Sequence, residues 1–202
     1  FSLRPEVIQI ADHLKLTNAF SFIFVGRIVG DKGINELVEA FLQLLNEHNN
    51  IRLLLVGNYE SKLDPVSPLT MQRISTTKEI EAVGPKQGDE LIAYYAASDC
   101  FVFPSYREGF PNTVIEAGAM GLPSIVTDIN GSREIVVANE NGVVIPPRDE
   151  KSLYKAMKFM VEKEKERTLM AGNARRMIAS RYDQKFVREC LMGFYRQITA
   201  AH

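Results

Sequence analysis

Short, nearly unbroken apolar runs alternate along this chain with amphipathic stretches, and that rhythm limits its possible folds more than any other feature. Phe20-Ser21-Phe22-Ile23-Phe24-Val25-Gly26 is the first run. It is short and continuously apolar, the pattern of a strand covered on both faces. Ile34, Leu37, Val38, Phe41, Leu44 and Leu45 then recur at helical spacing and predict an amphipathic helix that ends near Asn49-Asn50. Ile51 to Gly57 predicts a second buried strand and Glu79 to Gly84 a shorter third. Leu91 to Ala97 reads as helix and Cys100 to Pro104 as a fourth strand. A helix over Asn112 to Met120, a fifth strand over Ser124 to Asp128, a brief helix over Ser132 to Val137 and a sixth strand at Val143-Val144-Ile145 complete the series.

Alternation of this kind implies right-handed crossovers and an α/β fold, a doubly wound, Rossmann-like parallel sheet of six strands. After Pro146-Pro147 the strands stop, and residues 149–201 read as helix only, broken near Glu164–Arg167 and near Tyr182-Asp183. The connection Ser61–Thr77, with two prolines, is the least regular. The expected division is a linker or interdomain segment over 1–19, a ligand-binding domain over 20–182 and a closing helix over 183–202. Phe1-Ser2-Leu3-Arg4-Pro5-Glu6 has no initiator Met and reads like the middle of a loop, so the chain is expected to be an excised part of a longer polypeptide.

Composition excludes several partners. With 24 basic against 25 acidic residues and a net charge of -1, there is no electrostatic case for nucleic acid or an anionic membrane as the main partner. Cys100 and Cys190 have no metal-ligand spacing, and Cys100 opens an apolar run, as a buried small hydrophobe does. A reducing, cytoplasmic location fits. No apolar run approaches the ~20 residues of a membrane span, and no signal peptide opens the chain.

Ligands of an open parallel sheet bind beyond the C-terminal strand ends, where helix N-termini also point. After the first strand comes Gly26-Arg27-Ile28-Val29-Gly30-Asp31-Lys32-Gly33. Two cations at a helix start, with glycines that admit a ligand to the backbone, suit a diphosphate. The same residues also suit a tight turn with two solvated cations. The dinucleotide fingerprint needs glycine where Ile28 stands, and the Gly-Lys-Ser/Thr of a Walker loop is missing.

After the fourth strand, Glu108 sits in a loop and Glu116 one turn into the next helix, with seven residues between them. Carboxylates accept hydrogen bonds from sugar hydroxyls, and a ribose diol suits bidentate capture. Asn112 is a natural N-cap, and the N–H groups of Asn112, Thr113 and Val114 offer a second phosphate cradle. A capped helix with two surface glutamates has the same sequence. No Asp-x-Asp occurs anywhere, so a metal clamp on a diphosphate has no obvious ligands.

The pair Glu108 and Glu116 resembles the E-x7-E motif of retaining GT-B glycosyltransferases, and the chain over residues 20–200 resembles the C-terminal, donor-binding domain of their family GT4. Tyr94-Tyr95-Ala96-Ala97-Ser98-Asp99, Gly121-Leu122-Pro123, Asn130-Gly131-Ser132-Arg133-Glu134 and Asn141-Gly142-Val143-Val144-Ile145-Pro146-Pro147 fall in the family order. The resemblance implies transfer of a sugar from a nucleotide-diphosphate sugar, a UDP-sugar by family habit, to a glycan or lipid-linked acceptor. No metal or other cofactor is implied.

Catalytic roles would fall to Arg27 and Lys32 on the diphosphate and to Glu108 on the transferred sugar. Donor binding would involve Gly26, Gly109 and Phe110, Asn112, Thr113 and Val114, with Glu116 on the ribose and Gly84, in Gly84-Pro85-Lys86, near the base. An N-terminal domain, absent from the chain, would carry the acceptor site, receive the closing helix and touch the inner face of the membrane. Alone, the chain would be inactive. Two features depart from the family: Pro111-Asn112 follows the Gly-Phe pair, and Arg133 adds a charge without an assigned role. A non-catalytic sugar-nucleotide sensor and a nucleotide-sugar epimerase remain as rival readings of this fold.

Overall fold

The computed structural model describes residues 4–15, 19–60 and 62–200. Among the described residues six strands form one sheet: β1 (Phe20–Val25), β2 (Ile51–Val56), β3 (Ile80–Gly84), β4 (Cys100–Phe103), β5 (Ser124–Thr127) and β6 (Gly142–Ile145). Their order is β3-β2-β1-β4-β5-β6 and every pair is parallel. The doubly wound sheet is therefore as the alternation predicts. The chain builds outward from β1 in one direction, then returns and builds outward from β4 in the other. Neighbouring connections leave on opposite faces at that pair and open a crevice beyond the strand ends.

Strands β1, β2, β4 and β5 are buried almost throughout because helices cover both faces. Edge strand β3 is exposed at Glu81 and Ala82, and edge strand β6 is half-buried in its middle. Phe22 pairs with Leu53 and Phe24 with Leu55 across β1–β2, while Ile23 pairs with Phe101 across β1–β4. Phe24, Phe103 and Phe101 stack in sequence at centroid spacings of 5.8 Å, and Tyr95 packs on Phe101 at 6.1 Å. This aromatic row fills the core directly under the crevice.

Helix α2 (Ile34–Leu45) buries Ile34, Leu37, Val38, Phe41 and Leu44, the face read from the spacing, and packs on α7 (Glu150–Glu162). Helices α4 (Gly88–Ala96), α5 (Asn112–Ala119) and α6 (Ser132–Ile135) follow β3, β4 and β5. Helix α5 packs on α8 (Glu164–Tyr182), so closely that a Cβ on Gly118 would meet Ile178 Cγ1 at 2.6 Å. Helix α9 (Gln184–Ala200) closes the described chain. No helix among the described residues is long and apolar enough to cross a membrane.

Two segments are more ordered than the sequence reading expected. The opening stretch, read as loop and linker, contains α1 (Pro5–Leu14), started by proline in the first turn beside Glu6. Phe1, Ser2 and Leu3 lie outside the described residues, as does part of the linker. Val7 and Ala11, one turn apart, seat this helix on Ala93 of α4 and on Ala97, its C-cap. Arg52, inside the apolar β2, secures its far end, donating from Nη2 to the Leu14 carbonyl at 2.6 Å and from Nε to Ser21 Oγ at 2.7 Å. The proline-bearing connection after β2 contains α3 (Pro68–Thr76), capped by Ser67, whose hydroxyl accepts from Thr70 N–H at 3.0 Å. There Pro68 starts the helix instead of breaking it.

Gly33 joins the first-strand loop to α2 with a left-handed φ of 70°, and a Cβ there would come 2.2 Å from the Pro104 carbonyl oxygen. Gly172, exposed on α8, has nothing within 4 Å of an added Cβ. Gly33→Ala is expected to lower the unfolding free energy by about 2 kcal/mol or more. Gly172→Ala should raise it by about 0.5–1 kcal/mol. Urea denaturation of the two variants checks the opposed signs.

Candidate donor-binding site

The loop after β1 and the loop after β4 meet at the crevice. Gly26, Arg27, Ile28 and Val29 lead into a 3-10 turn at Gly30–Lys32. Ile28 and Val29 are buried, and Ile28 N–H donates to Asn58 O at 2.8 Å while Gly30 N–H donates to Asp64 O at 2.8 Å. The backbone is thus held from both sides, and the side chain of Arg27 is exposed. Among the described residues Arg27 makes no ion pair. Gly26 continues β1, its N–H bonded to Val56 O at 3.0 Å.

Lys32 and Glu108, 76 residues apart, form an ion pair with only 12% and 15% of their side chains exposed. Ser105 Oγ donates to the same Glu108 oxygen, Oε1, at 2.8 Å. Tyr106 N–H donates to Asp31 O at 2.8 Å, and Thr127 Oγ1 donates to Ser105 O. The end of β5 and the turn before α2 thereby fix the Glu108 loop. Lys32 Nζ also lies 5.9 Å above the Phe103 ring.

Helix α5 corrects two expectations. Its N-cap is Pro111, not Asn112, because the proline's extended φ of −77° and ψ of 103° ends the loop one residue earlier. The Val114 N–H is also taken, donating to Pro111 O at 3.1 Å in a tightened first turn. Asn112 and Thr113 therefore keep N–H groups without a backbone acceptor among the described residues, and Val114 instead buries its side chain in the core.

Glu116 receives a hydrogen bond from Tyr95 OH to Oε2 at 3.1 Å, and the same hydroxyl lies 3.5 Å from Thr113 O. Tyr95 is wholly buried. Burial pushes the Glu116 carboxyl above its ordinary pKa, and the Tyr95 hydrogen bond opposes that shift. Gly109 is exposed, as is Phe110, whose ring packs edge-on against Tyr182 at 5.6 Å. Gly84 ends β3 with a φ of 73°, and its carbonyl accepts from Gly57 N–H at 3.0 Å. Beyond it Lys86 bonds Glu90 at 2.6 Å.

The structure brings Lys32 and Glu108 into contact at the crevice, with Arg27 on the same loop as Lys32, and Asn112, Thr113 and Glu116 on α5, the helix that follows the Glu108 loop. Gly84 stands at the end of β3, two strands from β1. Ser105, Thr127 and the role of Tyr95 escape sequence reasoning: Thr127 and Tyr95 act on residues more than twenty positions away, and Ser105, three residues before Glu108, reaches it only because of how the loop folds. Tyr95 alone left a signal, the double tyrosine Tyr94-Tyr95 ahead of β4. Among the described residues no group of three or more His, Cys, Asp and Glu is arranged to hold a metal.

The profile of the family described as glycosyl transferases group 1 matches residues 8–177. The chain belongs to that family. It is 30% identical over 197 residues to the capsular polysaccharide biosynthesis glycosyltransferase CapM of Staphylococcus aureus, covering 96% of this chain and 50% of CapM. It spans about half the length of that relative. Sucrose-phosphate synthase from Thermosynechococcus elongatus superposes with a TM-score of 0.82 at 26% identity, over 96% of this chain and 49% of that one. The C-terminal domain of a group 1 glycosyl transferase, LpcC from Francisella tularensis, shares the fold with a TM-score of 0.77 at 22% identity, over 91% of this chain and 96% of that one. The fold is that of a GT-B C-terminal domain.

A raised carboxyl pKa means that burial disfavours ionised Glu116 in the folded state. The fold gains from this group at low pH and loses that gain as pH rises through its titration. Glu116→Gln should remove this dependence. Tyr95→Phe deletes a hydrogen bond that favours the ionised form, so Glu116 should titrate at higher pH in that variant than in the parent. Urea denaturation as a function of pH reads the first effect, and carboxyl-carbon NMR titration of Glu116 reads the second.

Proposed function

We propose that this chain is the donor-binding half of a retaining hexosyltransferase that moves a sugar from a UDP-sugar to a glycan or lipid-linked acceptor. The observation that carries the reading is the meeting of the Arg27–Lys32 loop with the Glu108–Glu116 loop at the β1–β4 crevice. HepE of Anabaena, which shares the fold with a TM-score of 0.85 over 96% of this chain at 20% identity, has been solved with UDP and also with UDP-glucose. That pairing supports a uridine donor here.

Transfer breaks the anomeric C–O bond and leaves negative charge on the departing diphosphate. Arg27, Lys32 and the N–H groups of Asn112 and Thr113 would stabilise that charge, with no metal or other cofactor required. Glu108 would orient the transferred sugar through its hydroxyls and take no covalent part. Glu116 would hold the ribose, with its other oxygen kept on Tyr95, and the base would lie near Gly84-Pro85-Lys86. On one face of the sugar, the leaving phosphate would help to deprotonate the acceptor, which retains the anomeric configuration.

The acceptor site would lie on an N-terminal domain, without which the chain would be inactive. Helix α9 supports that partner: Val187, Leu191, Phe194, Tyr195 and Ile198 recur at helical spacing and are each between 44% and 58% exposed. A stripe this apolar is suited to burial against another domain. The enzyme would work in the cytoplasm, its N-terminal domain resting on the inner face of the membrane.

The Lys32–Glu108 ion pair separates the two glutamates by sign. Glu116→Ala should weaken UDP binding by about 10- to 150-fold, the worth of a hydrogen bond to a charged group. Glu108→Ala should leave UDP binding unchanged or tighter, because it frees Lys32 and removes a negative charge beside the diphosphate. Turnover in the full-length enzyme should nonetheless fall. Calorimetry with UDP, paired with assay of UDP release, reads both, and equal losses of UDP affinity would reject the assignment. EDTA should not change the UDP dissociation constant, and a large loss in its presence would show that the phosphate site needs a metal.

A further inference from the structure

The sugar-carrying end of the proposed donor site runs into a polar groove for which the sequence offers no role. Along the sheet edge the strand ends come in the order β3, β2, β1, β4, β5. With the base near Gly84 after β3 and the diphosphate between the β1 and β4 loops, whatever extends past Glu108 meets the loop after β5. A groove of about 420 Å3 lies there, lined by Tyr106, Arg107 and Glu108 on one side and Asp128, Asn130 and Arg133 on the other. That volume falls within the range of small-molecule sites.

The walls of this groove are built, not loose. Gly131 holds a φ of 79°, and a Cβ there would lie 2.3 Å from the Gly109 carbonyl oxygen, so the two loops are pressed together. Glu134 accepts from Gly131 N–H at 3.4 Å and steadies the turn. Arg133 is aimed by two bonds, Nη1 to Asp128 Oδ1 at 3.2 Å and Nη2 to Asn130 Oδ1 at 2.7 Å. A guanidinium has five donors and no acceptor, and these two bonds leave others unused. Arg107, on the opposite wall, is exposed and makes no ion pair among the described residues. Lys32 already neutralises Glu108. Arg133 is likewise paired with Asp128, so the groove offers the held donors of Arg133 beside the unpaired charge of Arg107, a setting that suits groups that accept strongly.

We propose that this groove selects the transferred sugar, with Arg133 donating to a carbonyl or carboxylate oxygen that the sugar carries, as an acetamido sugar or a hexuronate does and a plain hexose does not. The proposal rests on the donor-site reading above and names the class of sugar for it. Arg133 is a specificity residue on this account and has no part in holding UDP.

The test is calorimetry on the full-length protein with UDP, UDP-glucose, UDP-N-acetylglucosamine and UDP-glucuronate, for the parent and for Arg133→Met. The side chain of Arg133 is 52% exposed, so the substitution leaves the fold intact. The acetamido or the acidic donor should bind about tenfold or more tightly than UDP-glucose, the margin a charged hydrogen bond supplies. Whichever wins identifies the source of the oxygen. Arg133→Met should erase that margin and leave UDP itself within about twofold of the parent. UDP-glucose binding as tightly as both other donors would overturn the proposal, as would a margin that survives the substitution. So would a loss of UDP affinity equal to the loss for the favoured sugar, since Arg133 would then act on the diphosphate. If the parent bound no UDP at all, the donor-site reading itself would fall.

Discussion

Everything at the crevice depends on the parallel pairing of β1 with β4. In a parallel sheet all strands end on the same edge, so the loops that follow them share one side of the molecule. Here the winding reverses between β1 and β4, and the connections diverge to leave a gap between two loops that are far apart in the chain. Helices on both faces bury these strands, and the stacked Phe24, Phe103 and Phe101 brace them. A shift of one strand against the other by one residue would turn its side chains to the opposite face and break up that aromatic row. The same packing that stabilises the core therefore sets the spacing of the site.

Electrostatics within the crevice are unevenly matched, and this suits charge that arrives and departs. Arg27 is exposed and unpaired among the described residues, while Lys32 is closed on Glu108. Glu116 is half-buried with one oxygen on a buried tyrosine. Each carboxylate thus has one oxygen committed to the protein, which orients the other without any further cost in side-chain freedom. Membership of the group 1 glycosyl transferases is consistent with such a set. The chain covers only half of CapM, and the apolar stripe of α9 gives a physical reason to look for its counterpart in a second domain.

Periodicity made the architecture legible. Ile34, Leu37, Val38, Phe41 and Leu44 are the residues that α2 buries, and the continuous runs at Phe20 and Ile51 are interior strands. It was less informative where a signal had two meanings. The opening stretch read as loop and the two-proline connection after β2 as irregular, yet Pro5 and Pro68 both stand in the first turn of a helix, where a missing N–H costs nothing. Asn112 read as a cap from its residue type alone, although the backbone of Pro111 had already ended the loop.

The alternation of the six strands with the helices between most of them, the face that α2 buries and the two chemistry-bearing loops were determined by the sequence itself, because each is a local pattern of residue types along one segment. Only the tertiary structure decided which side chains meet. Lys32 with Glu108, Tyr95 with Glu116 and Thr127 with the Ser105 carbonyl each join residues from different elements or connections of the fold. Those contacts depend on strand order and on how far each loop leans over the sheet edge, and no periodicity in the chain encodes either.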